Sequence, residues 1–429
     1  MFTSIYLFTT NRCNLNCKYC YEKNRTGDMS EETMKQSIDW LINQHDERIR
    51  SRPDQEIALT FFGGEPLLNF PVVKYGIDYA YKKYKEDGLK VGLYILSNGT
   101  ILTDEMIDYF QEVLRRKGLS FFIQVSLDGC KESHDKNRIF ANSDKGSFDK
   151  IIENTSRLSK IMPNLIIRQT VVPENVRNLS RDFSSLINTG AKICNLTPIV
   201  EGDWSDRNID IYLEELEKCV RIFVEHPNSK DMNFNMVHSV ISRMEDKQFN
   251  SYKGCRAGVR LAAVTIDGDI YPCHRFAAYK DQFDYKIGNV KTGIDFESDN
   301  FKKVMDMHNA PSRCNDCIAV SCNRCYATNL SMLRDPKASP DNGYCEMNWR
   351  SDRLLRSLIW KLLLERKVNM KEGSMVKSDD GKIAINIGEG TEIHEDLQDV
   401  MARCIVKLTR EMQVIKAKMS HIERHLGVE

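Results

Sequence analysis

The sequence predicts an α/β fold: a partial (β/α)6 barrel of the TIM type, then a small cysteine-rich domain and a helical C-terminal tail. Three observations predict this order. The first 200 residues alternate short apolar runs with amphipathic stretches, residues 250–350 hold half of the fourteen cysteines, and apolar residues near the C-terminus recur in heptads. A chain of 429 residues can also bury one large core and still carry smaller modules.

Six apolar runs rich in Ile, Val, Leu and Phe are predicted to be buried strands. They are Ser4–Thr9, Glu56–Phe62, Lys90–Leu96, Ser120–Leu127, Leu165–Val172 and Lys192–Val200. Five amphipathic stretches between them are predicted helices: Glu31–Arg48, Pro71–Glu86, Asp104–Arg116, Phe148–Lys160 and Asn178–Asn188. Because chemistry in such barrels takes place at the C-terminal ends of the strands, we expect functional residues in the loop after each strand.

Charge and hydropathy exclude several classes of protein. The chain has 61 basic and 61 acidic residues, so no electrostatic footprint indicates nucleic acid or an acidic membrane as a partner. It has no long apolar run, and its start lacks the basic region and cleavage site of a secretory signal. We therefore expect a cytoplasmic protein whose cysteines hold metal or clusters and form no disulfides.

The predicted domains are a barrel over residues 1–210, a helical connector over 211–250 and a cysteine-rich domain over 251–350. A helix with a linker follows over 351–392, and an amphipathic or coiled-coil helix over 393–429. The last helix carries a heptad seam: Met401, Ile405, Leu408, Met412, Ile415, Met419, Ile422 and Leu426. This seam predicts either a dimer or partner contact, or a helix packed on its own protein.

Residues 10–20, directly after the first predicted strand, read TNRCNLNCKYC. The thiolates of Cys13, Cys17 and Cys20 can ligate three of the four irons of a cubic iron-sulfur cluster, leaving one iron open. A structural zinc site needs a fourth ligand, and the nearest histidine is His45. The alternative is a loop of inert cysteines. The CxxxCxxC spacing after a first barrel strand resembles the signature of the radical S-adenosylmethionine (SAM) superfamily.

Four further stretches at successive strand ends resemble the same superfamily. Gly63, Gly64 and Glu65 match its GGEP element, which receives the SAM amine. Ser97-Asn98 and Ser126 with Asp128 are placed for the SAM ribose or methionyl group. Two further contacts with SAM are expected. Arg168 either binds the SAM carboxylate or forms a salt bridge within the protein, and Tyr19 packs on the adenine.

The resemblance implies a specific chemistry. SAM chelates the open iron, an external one-electron donor of the flavodoxin or ferredoxin type reduces the cluster, and a 5′-deoxyadenosyl radical removes a hydrogen atom from the substrate. The cofactor supplies this reactivity, and the protein supplies orientation and a dry cavity.

The second cysteine set resembles the seven-cysteine SPASM domain of radical SAM enzymes that act on peptides, which carries two auxiliary 4Fe-4S clusters. The resemblance implies that Cys255, Cys273 and Cys325 hold the first cluster, and that Cys314, Cys317, Cys322 and Cys345 hold the second. The chain would then hold three 4Fe-4S clusters. The gaps after Cys314 are two, four and two residues, where the family has two, five and three. Zinc is the alternative occupant.

Seven ligands for two clusters leave one iron open, which the thiolate of a substrate cysteine can fill. Residues 271–276 read YPCHRF and resemble thioether-forming peptide maturases. His274 occupies the place of a catalytic Asp in the sulfatase-maturating branch, so it is either a base or a hydrogen-bonding residue of the cluster loop. Cys130 follows the fourth strand, and its thiol is either a hydrogen-atom donor or an inert loop residue.

The sequence thus predicts an enzyme that matures a ribosomally synthesised precursor peptide by forming a cysteine thioether crosslink. The alternatives are a peptide epimerase that uses Cys130 and an anaerobic sulfatase-maturating enzyme that forms formylglycine. A more remote alternative is a non-enzymatic, metal-stabilised scaffold that binds partners through its tail.

Overall fold

The computed structural model describes residues 2–44, 56–245, 255–308, 319, 322, 324–340, 342–369, 375–377 and 383–385. The chain divides into two compact units. The first comprises residues 1–235, 253–318 and 322–349, and the second comprises residues 236–252, 319–321 and 350–429. The predicted barrel and the cysteine-rich region therefore share one unit.

The six predicted strands are all present, and they pair in parallel in chain order. Their bounds are β1 Ser4–Thr10, β2 Glu56–Gly63, β3 Lys90–Ser97, β4 Leu119–Ser126, β5 Ile166–Val171 and β6 Ile193–Pro198. Each bound lies within two residues of the prediction, because long apolar runs between turn signals mark buried strands clearly. The predicted partial (β/α)6 barrel is confirmed.

Helices follow the strands as predicted, and they are numbered here in chain order. The helices that follow the first six strands are α1 Glu31–Asn43, α2 Phe70–Asp87, α3 Asp104–Leu114, α4 Lys131–Asp135, α5 Phe148–Ser159, α6 Leu179–Ile187 and α7 Asp206–Glu225. Two of them begin at side-chain caps, where Ser30 accepts from the Thr33 amide and Thr103 accepts from the Met106 amide.

Five short strands extend the sheet: β7 Asn233–Phe234, β8 Leu261–Val264, β9 Asp269–Tyr271, β10 Gly288–Asn289 and β11 Gly293–Ile294. β8 runs parallel to β1 and forms a hairpin with β9, closed by Gly268 at a φ of 83°. The cysteine-rich region thus continues the barrel sheet beyond β1.

The remaining described helices are α8 Asn235–Glu245, α9 His274–Ala278, α10 Asp299–Met307, α11 Tyr326–Leu333 and α12 Tyr344–Asn369. Within the second unit, β12 Met375–Lys377 and β13 Ile383–Ile385 form an antiparallel pair. The predicted helix over 393–429, with its heptad seam, lies outside the described residues. Among the described helices, none is both long and apolar enough to cross a membrane.

The strand register decides which side chains meet at the site. Alternate residues of a strand point to opposite faces. The Phe61 side chain of β2 lies against Gly76 of α2, on the helical side of the sheet. The side chain of Phe62 therefore points to the opposite side, into the barrel. Phe62 pairs with Phe8 and therefore shares the inner face with Phe8 and Tyr6. Side chains on this inner face of the barrel are the candidates for binding.

The C-terminal ends of the parallel strands lie at the same end of the sheet. Thr10 pairs with Gly63 at the ends of β1 and β2, whereas Ser126 at the end of β4 pairs with Arg168, three residues before the end of β5. The predicted site residues that follow these strands are thereby gathered at one end of the barrel.

Candidate active site

The three cysteines after β1 lie half-buried in a loop whose neighbours donate hydrogen bonds to sulfur. Cys13 Sγ accepts from the Leu15 amide at 3.4 Å and from Asn98 Nδ2 at 3.8 Å. Cys17 Sγ accepts from Arg138 Nη1 at 3.7 Å. Donors directed at sulfur stabilise the anionic thiolate, which is the form that ligates iron.

In the protein without iron, burial disfavours the charged thiolate form of these cysteines. It raises the pKa of Cys17 to about 11, with the Arg138 charge acting in the opposite direction and Cys20 and Asp128 acting in the same direction as burial. Burial also raises the pKa of Cys13. The thiols of Cys13 and Cys17 are therefore protonated at neutral pH unless a positive centre such as iron takes the place of the protons.

The two glycines after β2 bring its end against the cysteine loop. The Gly64 amide donates to Thr10 O at 3.0 Å, and the Glu65 amide donates to Arg12 O at 2.8 Å. A Cβ on Gly63 would lie 2.0 Å from Thr10 O, and one on Gly64 would lie 2.2 Å from Arg12 O. Only glycine permits this approach of the two backbones.

Glu65 is fully buried, and its carboxylate already has three donors. Oε1 accepts from the Leu67 amide at 3.1 Å and Ser97 Oγ at 2.9 Å, and Oε2 accepts from the Asn98 amide at 2.6 Å. Burial raises the pKa of Glu65 to about 7, against the lowering effect of these three bonds. The carboxylate joins the loops after β2 and β3, and its predicted contact with the SAM amine remains a prediction.

Ser97 and Asn98 form part of the same network. Asn98 Nδ2 donates to Asn14 Oδ1 at 2.9 Å, and Asn98 Oδ1 accepts from Thr100 Oγ1 at 2.6 Å. Asn14 Nδ2 in turn donates to Thr100 Oγ1 at 2.8 Å. These bonds fix the loop after β3 to the cysteine loop beside Cys13.

Asp128 is the centre of a buried charged cluster. Its Oδ2 accepts from Arg138 Nε at 3.0 Å and from the Tyr19 hydroxyl, and its Oδ1 accepts from the Thr170 amide at 3.0 Å. The Arg138 guanidinium also lies 5.3 Å from the centre of the Tyr19 ring. Tyr19, predicted to contact adenine, is held here by Asp128. Arg138 was not identified from the sequence, although it lies only ten residues after Asp128 in a polar segment.

His134 supports that cluster from behind. Its Nδ1 accepts from the Asp128 amide at 3.2 Å, and its Nε2 lies 3.0 Å from Ser147 Oγ. Burial lowers the pKa of His134 to about 4, so the ring is neutral at pH 7 with its proton on Nε2. This residue too was not identified from the sequence.

Arg168 and Ser126 pair across β4 and β5 and are both half-buried. Arg168 Nε donates to Thr197 Oγ1 at 3.4 Å. Within the described ranges, Arg168 forms no salt bridge, so the internal ion pair considered from the sequence is absent there. Its charge acts on Tyr6, Tyr21 and His274, which places it toward the inside of the barrel and available to an anion.

The predicted ligands of the first auxiliary cluster act on one another electrostatically. Burial raises the pKa of Cys255 to about 11, and the charge of Cys325 adds to the effect. Cys273 is 5% exposed, and burial raises its pKa, with Cys255 and Cys325 adding to the effect. Three segments distant in sequence thus bring three thiols within range of one another's charge.

The predicted second set is described only in part. Cys322 is electrostatically coupled to Tyr344, which precedes Cys345 in the chain. Cys314 and Cys317 lie outside the described residues. Over the described part of the chain, no three His, Cys, Asp or Glu side chains are arranged to hold a single metal ion.

Arg275 joins the cysteine loop to the auxiliary site. Its guanidinium lies 4.3 Å from the centre of the Tyr21 ring, beside Cys20, and forms an ion pair with Glu201 after β6. Arg275 Nη1 also donates to Thr328 Oγ1 at 2.7 Å, and that oxygen lies 3.2 Å from Cys325 Sγ. A single arginine therefore contacts both loops.

His274 lies in an aromatic cage on the inner face of the barrel. Its ring lies 4.4 Å from Tyr6, 5.2 Å from Phe62 and 6.0 Å from Tyr21, measured between ring centres. Its Nδ1 is buried without a hydrogen-bond partner among the described residues. Burial lowers the pKa of His274 to about 3, with Arg275 and Arg168 adding to the effect, so the ring is neutral.

Cys130 lies at the N-terminal end of α4, facing α6. Its amide donates to Asp182 Oδ1 at 3.1 Å, and its Sγ lies 3.8 Å from Ser133 Oγ. These contacts are with the helical layer. Cys194 and Cys219 are buried at 3% and 0% exposure, as expected for small hydrophobic residues, and Cys404 lies outside the described residues.

Arg324 provides a test of whether clusters fit these cysteines. It lies between Cys322 and Cys325 in the chain and is 8% exposed, and its Nε and Nη1 find no acceptor among the described residues. Its Nη2 donates to Met307 O at 3.3 Å and to the Tyr326 hydroxyl at 3.1 Å, and leaving the other two buried nitrogens without acceptors is costly unless an anion lies near. Thiolate-ligated iron-sulfur clusters supply such negative charge, so this residue and the donors at Cys13, Cys17 and Cys325 fit them.

Comparison with known proteins agrees with these features. The family model of the Radical SAM superfamily matches residues 7–183, and that of an iron-sulfur cluster-binding domain, SPASM, matches residues 255–318. An uncharacterized protein of Methanocaldococcus jannaschii is 32% identical over 270 residues, which cover 63% of this chain and 84% of that protein. The cysteine-type anaerobic sulfatase-maturating enzyme of Clostridium novyi is 24% identical over 360 residues, covering 79% and 90%.

A solved structure shares the fold over both regions. Native anSMEcpe with bound AdoMet and a Cp18Cys peptide superposes with a TM-score of 0.64 at 18% identity, over 86% of this chain and 99% of that one. The likeness therefore includes the barrel and the cysteine-rich region together.

Proposed function

Because the chain belongs to the radical SAM superfamily and carries a C-terminal SPASM domain, we propose that it matures a ribosomally synthesised peptide by joining a cysteine sulfur to a carbon of the same peptide. The family implies SAM and iron-sulfur clusters as cofactors. Bound SAM with a reduced cluster supplies a 5′-deoxyadenosyl radical, which removes a hydrogen atom from the substrate. An external flavodoxin or ferredoxin supplies the electron.

The proposal assigns the cysteines to three 4Fe-4S clusters. Cys13, Cys17 and Cys20 hold the SAM-binding cluster, and Cys255, Cys273 and Cys325 hold the first auxiliary cluster. Cys314, Cys317, Cys322 and Cys345 hold the second. Arg168, which lacks a carboxylate partner in the described part, binds the SAM carboxylate.

One observation carries the thioether product. Cys255, Cys273 and Cys325 lie within range of one another's charge, and residues 256–272 contain no further cysteine. A cubic cluster held by three cysteines takes its fourth ligand from elsewhere, and a substrate thiol supplies the same donor atom. This set can therefore hold the substrate cysteine close to the cage of His274. The substrate thiol would lose its proton on binding, and the auxiliary cluster would accept the one electron released when the sulfur bonds to the carbon radical.

His274 orients the substrate in this proposal. Its neutral Nδ1 is buried with no hydrogen-bond partner among the described residues, so it can accept a hydrogen bond from a substrate S–H or N–H group. Tyr6, Phe62 and Tyr21 exclude water around it. The side chain thereby offers an acceptor without adding a negative charge beside the auxiliary cluster.

A second candidate is formylglycine formation in a sulfatase. The observation in its favour is the alignment with the sulfatase-maturating enzyme of Clostridium novyi, which covers 90% of that protein. The residue at position 274 argues against it, because that branch has an Asp here and a neutral His with a strongly lowered pKa is a weaker base.

Product mass separates these reactions. The full chain, reconstituted anaerobically with iron and sulfide, is incubated with SAM, a reductant and small cysteine-containing peptides encoded beside its gene. Loss of two hydrogen atoms, with a crosslink located by tandem mass spectrometry, is the expected result. Replacement of the cysteine sulfur by oxygen overturns the proposal in favour of formylglycine. Unchanged mass with deuterium uptake overturns it in favour of epimerisation.

The matched control is Cys13→Ala, which keeps the auxiliary cysteines. It is expected to yield neither 5′-deoxyadenosine nor crosslinked peptide. If the wild-type protein binds zinc without iron and forms no 5′-deoxyadenosine, the enzyme proposal fails and a scaffold role takes its place.

A further inference from the structure

We propose that Arg138 is a positioning residue that raises the reduction potential of the SAM-binding cluster through its hydrogen bond to the ligand Cys17. The inference rests on the proposed ligand set of Cys13, Cys17 and Cys20. It assigns a role to a residue that neither the cysteine motif nor the strand-end motifs include.

The guanidinium of Arg138 donates hydrogen bonds to three acceptors. Nε donates to Asp128 Oδ2 at 3.0 Å, Nη1 to Cys17 Sγ at 3.7 Å and Nη2 to Thr170 Oγ1 at 3.4 Å. The side chain is 8% exposed and that of Asp128 is 3% exposed, so solvent screens this charge pair little. The planar fork of arginine serves three directions at once, which a lysine cannot do.

The backbone holds Arg138 in register with the cysteine loop. The Asn16 amide donates to Ile139 O at 2.8 Å, and the Lys18 amide donates to Asn137 O at 3.0 Å. These two bonds lie on either side of Cys17 in one segment and of Arg138 in the other. The distance between guanidinium and sulfur therefore does not depend on the long side chain alone.

The aromatic ring of Tyr19 closes the arrangement. The guanidinium carbon lies 5.3 Å from the ring centre, and the Tyr19 hydroxyl bonds to the same carboxylate as Arg138. Tyr19 and Cys17 come from one loop, Asp128 follows β4, and Thr170 belongs to β5. A guanidinium fixed from four sides has little freedom to move away when the charge of the cluster changes.

Reduction adds one negative charge to the cluster and its sulfur ligands. A buried cation that donates to one of these sulfurs favours the reduced state more than the oxidised state, and hydrogen bonds to sulfur are among the factors that set cluster potentials. Asp128 lies behind the guanidinium and offsets part of its charge. Removing either partner should therefore move the potential, but in opposite directions.

The test is a redox titration of the anaerobically reconstituted full chain, followed by electron paramagnetic resonance. The signal that changes on adding SAM identifies the relevant cluster, and potentials are then compared without SAM. Arg138→Gln is expected to reduce the ratio of reduced to oxidised cluster at a given applied potential at least tenfold, a shift of 59 mV for one electron. Asp128→Asn is expected to raise that ratio, and Arg138→Lys should lie between wild type and Arg138→Gln.

Arg157→Gln is the control, because Arg157 pairs with Asp104 at the surface, and its potential should equal that of wild type. If Arg138→Gln loads iron fully without a shift, the inference is overturned. If that variant does not load iron, the Asp128→Asn variant provides the test. A reduction potential of the SAM-binding cluster that is unchanged or lowered in Asp128→Asn rejects the inference. Cys17→Ala tests the ligand set separately, because a SAM-responsive signal that survives in this variant contradicts the ligand set and not the role of Arg138.

Discussion

The imidazole of His274 stacks on the phenol ring of Tyr6, with ring centres 4.4 Å apart and planes inclined by 30°. Tyr6 lies on the first strand of the barrel, and His274 follows a cysteine of the auxiliary set. The stack thus brings the segment with the auxiliary ligands onto the inner face of the barrel. It also explains why the ring can remain buried and neutral, because an aromatic face offers packing without a hydrogen bond.

We expect His274→Phe to fold and to retain the stack while losing the acceptor. Uncoupled cleavage of SAM should be unchanged, and formation of the peptide product should fall about 100-fold, the cost of a substrate that is no longer held in the reactive position. Single-turnover assays of 5′-deoxyadenosine and of product measure the two separately. Tyr6→Phe, which keeps a ring at the other side of the stack, serves as the control. Unaltered product formation in His274→Phe would show that the residue acts only in packing.

Gly63→Ala should disrupt the loop that carries the cysteines. The new methyl group would overlap Thr10 O at 2.0 Å in a backbone conformation with a φ of 125°, so a cost of about 3 kcal/mol or more is expected. Gly88→Ala is the control, since Gly88 has a positive φ of 72° and nothing within 4 Å of the added atom. It should cost about 1 kcal/mol. Thermal unfolding and iron content measure both variants, and equal losses would refute the steric argument.

Glu65→Gln should destabilise the protein although it preserves size. Both carboxylate oxygens accept from backbone amides, so a carboxamide must direct its NH2 group at an N–H donor. The expected cost is about 1–3 kcal/mol for a buried bond that is lost, measured by denaturant unfolding. Glu153→Gln, on the exposed side of α5, should change stability by less than about 0.5 kcal/mol. Comparable effects of the two changes would contradict the bridging role of Glu65.

His134 should make stability depend on pH in mildly acid solution. Burial lowers its pKa from 6.5 to about 4, so the unfolded chain binds a proton that the folded protein excludes between these values. The stabilisation is complete above pH 6.5 and is lost as the pH falls toward 4, amounting to about 3 kcal/mol at most. Unfolding free energies of wild type and His134→Gln from pH 7.5 to 5 measure this. The slope should be shallower in the variant, and identical slopes would reject the assignment.

Cys273→Ala should remove one auxiliary cluster and leave the SAM-binding cluster. Iron and acid-labile sulfide should fall by about one cluster per chain, with cleavage of SAM retained. Cys194→Ala is the matched control, because Cys194 is as deeply buried and burial raises its pKa to about 12, yet it belongs to neither predicted set. A loss of iron in Cys194→Ala equal to that in Cys273→Ala would overturn the assignment.

The sequence was sufficient for the strands because each is an apolar run bounded by turn residues, and β2 and β3 begin where predicted. Helix α1 ends at Asn43, before the predicted Arg48, and the following segment lies outside the described residues.

Contacts made by the folding of distant segments were not predictable. Arg138 reaches Cys17 only because residues 137–141 return along the cysteine loop, and no local pattern encodes that return. The three donors that Glu65 accepts from its own loop and the next were likewise not predicted, and its expected contact with SAM remains a prediction. The cage of His274 combines β1, β2 and the cysteine loop, which single-residue motifs do not reveal.

The pairing of β8 with β1 has a consequence for dissecting the protein. Ser4 to Leu7 lie in parallel register with Leu261 to Val264, and the Thr3 amide donates to Arg260 O at 2.9 Å. A shortened chain ending near residue 250 would leave one side of β1 as a bare strand edge, with its peptide groups open to pairing with another molecule. Such a fragment would tend to aggregate during expression, so the barrel and the segment that completes its sheet have to be produced as one piece.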